Sequence, residues 1–182
     1  MIAPLINNEV LARMQTNKGE TVHQISYEKP VFLVFLRHFG CVFCKEALSD
    51  LSHMLDNIRN RNIRLVLVHM AEDQTLAEKY FAQYKLKNVS HVSDPNMKYY
   101  QEFGLSKGSF SQLFGLKTWM RGFSDKVKPH KLELSKQLGD ATQMPGIFTI
   151  YKSEIISSYI HRRASDLPDY EALLERAMER VR

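Results

Sequence analysis

The sequence predicts an α/β fold whose sheet is partly parallel and covered by helices on both faces. Two apolar runs of strand length, Val31–Arg37 and Ile63–Met70, are each followed by a segment with helical character. The Val, Phe and Leu content of the first run is nearly continuous, which is typical of a central strand buried on both sides. Helices that alternate with strands at this spacing imply right-handed crossovers and parallel neighbours.

The helices and short elements of the first half follow from periodicity and capping signals. Apolar residues recur every three to four positions from Val42 to about Asn60, which predicts an amphipathic helix. A second helix is predicted over Asp73–Tyr84, because its first turn is acidic. A short strand over Asn88–Ser93 and a short helix over Asn96–Phe103, closed by Gly104, complete this half.

The second half begins with a segment that has no regular period. Lys107–Gln143 holds glycines, lysines and scattered aromatic residues, and we expect an insertion or loop region there. Two β-rich runs, Ile147–Tyr151 and Ile155–Ile160, are separated by a short polar link and predict a hairpin. A last helix is predicted over Pro168–Arg182.

Size and composition limit the classes of protein to consider. The chain has 182 residues, of which 44% are hydrophobic and 25% charged, and this favours a single domain over residues 1–182. It lacks the run of about 18 apolar residues that a membrane span requires. The features of a secretory signal are also missing at its beginning, so we expect a cytoplasmic protein.

The positive charge is concentrated in one part of the chain. Lys107–Lys136 holds seven basic and two acidic residues, which accounts for the whole net charge of +5. Such a segment can bind nucleic acid or an anionic membrane surface. No nucleic-acid-binding motif accompanies it, and we therefore favour aromatic side chains that cover the core or wall the active-site cleft.

The two cysteines, Cys41 and Cys44, lie where the first strand turns into the first long helix. The free N–H groups and positive dipole end of a helix stabilise a thiolate, which makes Cys41 the expected nucleophile, facing solvent. Cys44 follows one turn later, within reach for a disulfide, and can act as the resolving thiol. Arg37, His38 and Lys45 flank the pair, and a nearby cation favours the ionised sulfur.

Other interpretations of the pair exist. The two thiols can simply pack beneath the helix, as free cysteines often do. A zinc site can be assembled from His38, the two cysteines and His53, but no second ligand pair of suitable spacing follows. Haem attachment needs His directly after the second cysteine, where this chain has Lys45. We expect neither a metal nor another cofactor.

A resemblance to a known family rests on three segments. The loop Gln143–Gly146, with Met144 and Pro145 before a strand, resembles the cis-proline loop that presents a backbone edge to substrate in thioredoxin-fold proteins. Phe35–Glu46 (FLRHFGCVFCKE) resembles the signature of the peroxiredoxin-like AhpC/TSA subfamily, similar to the peroxiredoxin-like 2 group that includes prostamide/prostaglandin F synthase. Val92–Leu105 resembles the Asp-Pro segment of peroxiredoxins.

The resemblance implies a thioredoxin-like, peroxiredoxin-like three-layer α/β/α sandwich with a central mixed sheet. It further implies reduction of peroxides or disulfides by the pair Cys41 and Cys44, with re-reduction by thioredoxin or glutathione. An arginine assists the thiolate in peroxiredoxins, and Arg162 is the candidate here, although a solvated basic pair with Arg163 is an alternative. His38 stands where typical peroxiredoxins have Thr or Ser, and we consider it a local acid or base.

Three functions agree with these observations. The first is a thiol oxidoreductase that reduces peroxides or disulfides through the CxxC pair, with Arg37, Met144, Pro145 and Arg162 near the substrate. The second is a reductase of a specific lipid or organic hydroperoxide or endoperoxide. The third is a non-catalytic redox sensor in which a disulfide changes a binding surface.

Overall fold

The central feature of the fold is a mixed sheet. The computed structural model describes residues 6–109 and 139–181. The strands of these residues pair in the order β3-β2-β1-β4-β5, with β1, β2 and β3 parallel and β4 antiparallel to both β1 and β5. Their bounds are β1 Val31–Phe35, β2 Arg64–His69, β3 Ser90–Ser93, β4 Gly146–Tyr151 and β5 Glu154–Ile160.

Helices cover both faces of this sheet. Three pack on one face, α3 (Val42–Asn60), α4 (Gln74–Gln83) and α6 (Tyr170–Val181). Three shorter ones pack on the other, α1 (Asn8–Arg13), α2 (Val22–Glu28) and α5 (Lys98–Glu102). The predicted three-layer α/β/α architecture is thus confirmed.

Two cores result from the alternation of side chains along each strand. In β1, Phe32 and Val34 belong to the core under α3, α4 and α6, whereas Val31, Leu33 and Phe35 belong to the core under the shorter helices. Every residue of β1 is buried, as the near-continuous apolar run predicts. The central strand therefore holds the segment that follows it between two packed layers.

The observed bounds of β1, the hairpin link and α6 differ from the predicted ones. β1 ends at Phe35, two residues before the predicted end at Arg37. The side chain of Arg37 donates a hydrogen bond to the carbonyl of Gln143 in another loop. The hairpin link is Lys152 and Ser153 alone, both with positive φ (49° and 64°), the geometry of a tight two-residue turn. α6 begins at Tyr170, after Pro168 and Asp169.

The two N-terminal helices were missing from the sequence prediction. α1 has six residues and α2 seven, too few for a convincing period. A signal did exist: Thr21 and Gln24 form a capping box at the start of α2. Both helices contribute fully buried side chains, including Leu11 and Ile25, to the second core.

A buried tyrosine fixes the end of β1. The hydroxyl of Tyr100 lies 2.7 Å from the carbonyl oxygen of Leu36 and 3.1 Å from that of Val68. Leu36 also donates its N–H to the Val68 carbonyl, 2.9 Å away. These bonds position the backbone immediately before Arg37.

Most of the predicted insertion at about 107–143, and of the basic segment Lys107–Lys136, lies outside the described residues. Lys107 and Gln143, near its two ends, form an isolated antiparallel bridge. Within residues 6–109 and 139–181, no helix has the length and apolar character needed to cross a bilayer. The single domain and the cytoplasmic location stay predictions.

Candidate active site at the start of α3

The cysteine pair lies at the carboxyl end of β1, as predicted. Cys41 is the N-cap of α3, with extended backbone angles (φ −80°, ψ 131°). The N–H of Cys44 donates to the Cys41 carbonyl oxygen at 3.1 Å, so that Cys44 belongs to the first helical turn. The N–H of Cys41 in turn donates to the carbonyl of His38 at 3.0 Å, which closes the turn between strand and helix.

Phe39 anchors this turn. Its ring stacks on Tyr80, with centroids 4.4 Å apart, and lies 5.7 Å from the ring of His69. The Tyr80 hydroxyl donates to the Phe39 carbonyl oxygen. A buried aromatic side chain at this position holds the strand-to-helix turn against α4 and β2, while Gly40 beside it remains exposed.

Arg37 brings its guanidinium to the first sulfur. The Nη1 group donates to Cys41 Sγ at 3.0 Å, and the arginine is only 7% exposed. Its Nε donates to the Gln143 carbonyl at 3.3 Å, and its Nη2 donates to the Ala141 carbonyl. A hydrogen bond from a cation stabilises a thiolate more than a thiol. The loop carbonyls therefore aim the charge of Arg37 at Cys41.

The loop that holds Arg37 is itself firmly anchored. The Gln143 side chain is buried and donates from Nε2 to the carbonyl of Leu105 at 2.9 Å. Lys107 pairs with Asp140 at 2.8 Å. Burial opposes ionisation of Asp140, but hydrogen bonds from Lys107 and Thr142 lower its pKa to about 2. The carbonyls of residues 141–143 are thus held in place from both sides.

Both cysteines are free thiols, and both are buried. The expectation that Cys41 faces solvent is wrong: it is 8% exposed, because the Arg37 guanidinium contacts its sulfur and it packs in the same core as Phe39. Cys44 is 2% exposed. Burial, and secondarily the neighbouring Cys41, raise the pKa of Cys44 far above its ordinary value, so it stays a protonated thiol at neutral pH.

His38 is half-buried beside Arg37. Burial and the Arg37 charge lower its pKa to about 4, against an opposing effect of Asp140. The imidazole is therefore neutral at pH 7, and the lowered pKa makes it a weaker base than a free histidine. The structure places it in the same turn as Cys41, where the sequence predicted it.

The structure places the remaining predicted site residues, Met144, Pro145 and Arg162, in different environments. Met144 is buried against Ala164 and Phe43. Pro145 lines a cavity together with Cys44. No cis peptide bond occurs among the described residues, so the bond before Pro145 is trans, unlike the loop it was compared with. Arg162 is exposed, and its N–H donates to Asp166.

The cavity beside Cys44 has mostly apolar walls and a volume of about 30 Å³, and it lies between α3, β4 and the segment before α6. Its lining includes Phe43, Ala47, Pro145, Ala164, Leu167 and Tyr170.

His161 also lines this cavity, and its buried Nδ1 has no hydrogen-bond partner within the described part of the chain. Burial and the Arg37 charge lower its pKa to about 4, with Asp166 opposing. The sequence analysis overlooked His161, although it precedes the named Arg162.

Across residues 6–109 and 139–181, no three His, Cys, Asp or Glu side chains are placed to share an ion. His53, a ligand in the zinc interpretation, is exposed on α3, two turns beyond the buried Cys44.

The family of the chain follows from a comparison with known protein families. Residues 49–165 match the AhpC/TSA antioxidant enzyme family, which is more than half of the chain. The chain belongs to the AhpC/TSA family. The matched part starts after Cys41 and Cys44, so the family match itself does not include the two cysteines. Among curated proteins, nothing matches.

Solved structures share the fold of this AhpC/TSA protein. Peroxiredoxin Q of Xanthomonas campestris is 12% identical with a TM-score of 0.66, each chain covering 99% of the other. Peroxiredoxin 6 of Arenicola marina is 10% identical, with a TM-score of 0.64, over 98% of this chain and 72% of that one. A putative thiol:disulfide interchange protein DsbE from Chlorobium tepidum is 15% identical, with a TM-score of 0.57, over 91% and 89%.

The fold is accordingly the thioredoxin-like fold of peroxiredoxins. At these identities the likeness concerns architecture, and the specific prostamide/prostaglandin F synthase group is not confirmed.

Proposed function

We propose that this AhpC/TSA protein is a thiol-dependent oxidoreductase in which Cys41 is the nucleophile and Cys44 the resolving thiol. The observation that carries the proposal is the 3.0 Å contact between Arg37 Nη1 and Cys41 Sγ at the N-cap of α3. A cation and a helix N-terminus acting on one sulfur favour its thiolate, whereas the buried Cys44 remains protonated. The two thiols thus have different roles.

With a peroxide, the Cys41 thiolate attacks one oxygen and the O–O bond breaks. The sulfur becomes a sulfenic acid, and the leaving oxygen takes a proton and departs as water or an alcohol. The Cys44 sulfur then attacks the sulfenic sulfur, an S–S bond forms, and water leaves. Since Cys44 starts as a thiol, its proton joins the departing sulfenic hydroxyl, and the two leave together as the water molecule.

Return to the dithiol requires two electrons from an external thiol. We expect thioredoxin or glutathione as the donor: its thiolate attacks the disulfide to give a mixed disulfide, and a second thiol releases the reduced protein. A disulfide substrate would be reduced by the reverse of these steps.

The proposal is tested by counting thiols in the reduced protein while hydrogen peroxide is consumed. We expect two thiols lost per peroxide, recovery with a thioredoxin system or glutathione, and no reaction in Cys41→Ser. Cys44→Ser should stop at a sulfenic acid that dimedone traps. An oxidised protein that no donor reduces would indicate a redox sensor instead, and retention of activity in Cys41→Ser would refute the assignment.

A second candidate is a reductase of an organic hydroperoxide or endoperoxide, favoured by the apolar cavity beside Cys44. At about 30 Å³ the cavity has room for only a small apolar group of such a substrate, which its walls would shield from water, and His161 offers a hydrogen bond to a polar group. The rate ratio between cumene hydroperoxide and hydrogen peroxide distinguishes the two candidates.

A further inference from the structure

A second cavity lies at the edge of the sheet opposite the cysteines. Arg64 opens β2 and Ser90 opens β3, and both strands run parallel to β1, whose far end leads to Cys41. The cavity has a volume of about 260 Å³ and extends between these strand starts, the end of α3 and the loop at Lys18. It is therefore separate from the proposed redox site.

Basic side chains converge on this cavity. Lys18, Lys29, Arg59 and Arg64 all line it, although they come from four different segments of the chain. Its lining contains no acidic residue, and the amides of Asn62 and Asn88 and the hydroxyl of Ser90 add polar groups. Four cations around one concave space produce a positive potential that attracts anions.

The neighbouring carboxylates balance this charge only in part. Glu20 pairs with Arg64 at 3.4 Å and Asp56 with Arg59 at 3.7 Å, and neither carboxylate lines the cavity. Lys18 and Lys29 form no ion pair with any described residue. Lys18 and Lys29 are thus left without a direct ion pair within the described chain.

Lys18 lies close to other positive charges of the cavity. Its Nζ donates to the Asn88 carbonyl at 2.6 Å, which holds the ammonium at the cavity edge. Burial and the charges of Arg64 and Arg59 lower the pKa of Lys18, and Glu20 compensates only partly. An anion in the cavity would relieve this crowding of like charges.

We propose that this basic cavity binds a phosphate-bearing anion, either inorganic pyrophosphate or the phosphate end of a nucleotide. Arginines bind phosphate oxygens through two parallel N–H bonds, and lysines supply point charges. Asn88 and Ser90 offer neutral hydrogen bonds. Apolar residues in the lining, among them Leu55, Ile58 and Ile63, exclude water from one side and strengthen these contacts.

The test is isothermal titration calorimetry of the full chain with pyrophosphate, phosphate and adenosine triphosphate at constant ionic strength. We expect saturable binding of pyrophosphate at one site, weakened at least about tenfold in Lys18→Gln and in Lys29→Gln. The matched control is Arg176→Gln, an exposed arginine of α6 whose Nε donates to the Ala172 carbonyl in the same helix. This control should bind like the wild type.

The three ligands separate the sources of the phosphate. Tighter binding of the triphosphate than of pyrophosphate assigns a nucleotide, and the reverse order assigns a free anion. Absence of saturable pyrophosphate binding, or equal weakening in Arg176→Gln, overturns the proposal. The Cys41→Ser variant should bind normally, because the cavity is separate from the cysteines.

Discussion

The guanidinium of Arg37 donates a hydrogen bond to Cys41 Sγ, four residues further along the chain, at 3.0 Å. Two loop carbonyls on the far side of the guanidinium, from Ala141 and Gln143, hold it in place. The sequence analysis names Arg37 among the cations that flank the cysteines, and Arg162 as a candidate for the arginine that assists the thiolate in peroxiredoxins. The contact shows that Arg37 lies at the sulfur, while Arg162 is exposed and its N–H caps a turn at Asp166.

Replacing Arg37 tests this relationship. A charged hydrogen bond contributes about 1.5–3 kcal/mol, so Arg37→Met should slow the reaction of Cys41 with hydrogen peroxide by roughly 10- to 100-fold. Stopped-flow kinetics measure the rate. Arg162→Met is the matched control and should react like the wild type. The opposite ranking of these two variants would transfer the role to Arg162.

Filling the cavity beside Cys44 tests the organic hydroperoxide candidate. Ala47 lines this cavity from α3, and Ala47→Leu adds three carbons to it. We expect kcat/KM for cumene hydroperoxide to fall about tenfold, with little change for hydrogen peroxide, because only the larger substrate needs the space. Ala172→Leu on α6 is a control outside the lining. Equal losses for both substrates would argue against a substrate pocket.

The buried pair His69 and His91 predicts that the folded protein loses stability in acid. His69 Nε2 lies 3.0 Å from His91 Nδ1, and both rings are almost fully buried. Burial lowers the pKa of both, that of His69 to about 3 from 6.5. The unfolded chain therefore binds protons below about pH 6.5 that the folded chain does not, and stability decreases as the pH falls from there towards 3.

Urea unfolding between pH 7 and 4.5 measures this effect. The free energy of unfolding should fall with a slope of up to about 1.4 kcal/mol per pH unit for each such histidine. His69→Gln removes one titrating group and should flatten the curve. A stability that rises on acidification would contradict the prediction.

Gly146, the first residue of β4, occupies a space that is too small for a side chain. A Cβ at Gly146 would lie 2.6 Å from Leu105 Cδ2 and 3.2 Å from the Phe148 ring. Gly146→Ala should therefore cost about 1–3 kcal/mol of unfolding free energy. Adding Leu105→Ala makes room for the new methyl group, so the double variant should lose less than the two single losses together. Simple additivity would mean that Leu105 does not cause the strain.

Much of the fold could be predicted because its signals are local. The apolar run of β1, the periodicity of α3 and the Asp73 N-cap of α4 depend on residues close together in sequence. The helices α1 and α2 escaped because six or seven residues hold fewer than two full periods. They are stable through burial against the sheet, which no local pattern reports.

By itself the sequence determined that Cys41 would cap a helix and that Cys44 would follow one turn later, since both depend on the local strand-to-helix transition. Only the tertiary structure decided which arginine reaches the sulfur, that Cys41 is nearly covered, and that His161 joins the cavity of Cys44. These facts depend on the loop at 141–143 and the end of β5, more than 90 residues away in sequence. Packing between distant segments selects such contacts, and spacing along the chain does not encode them.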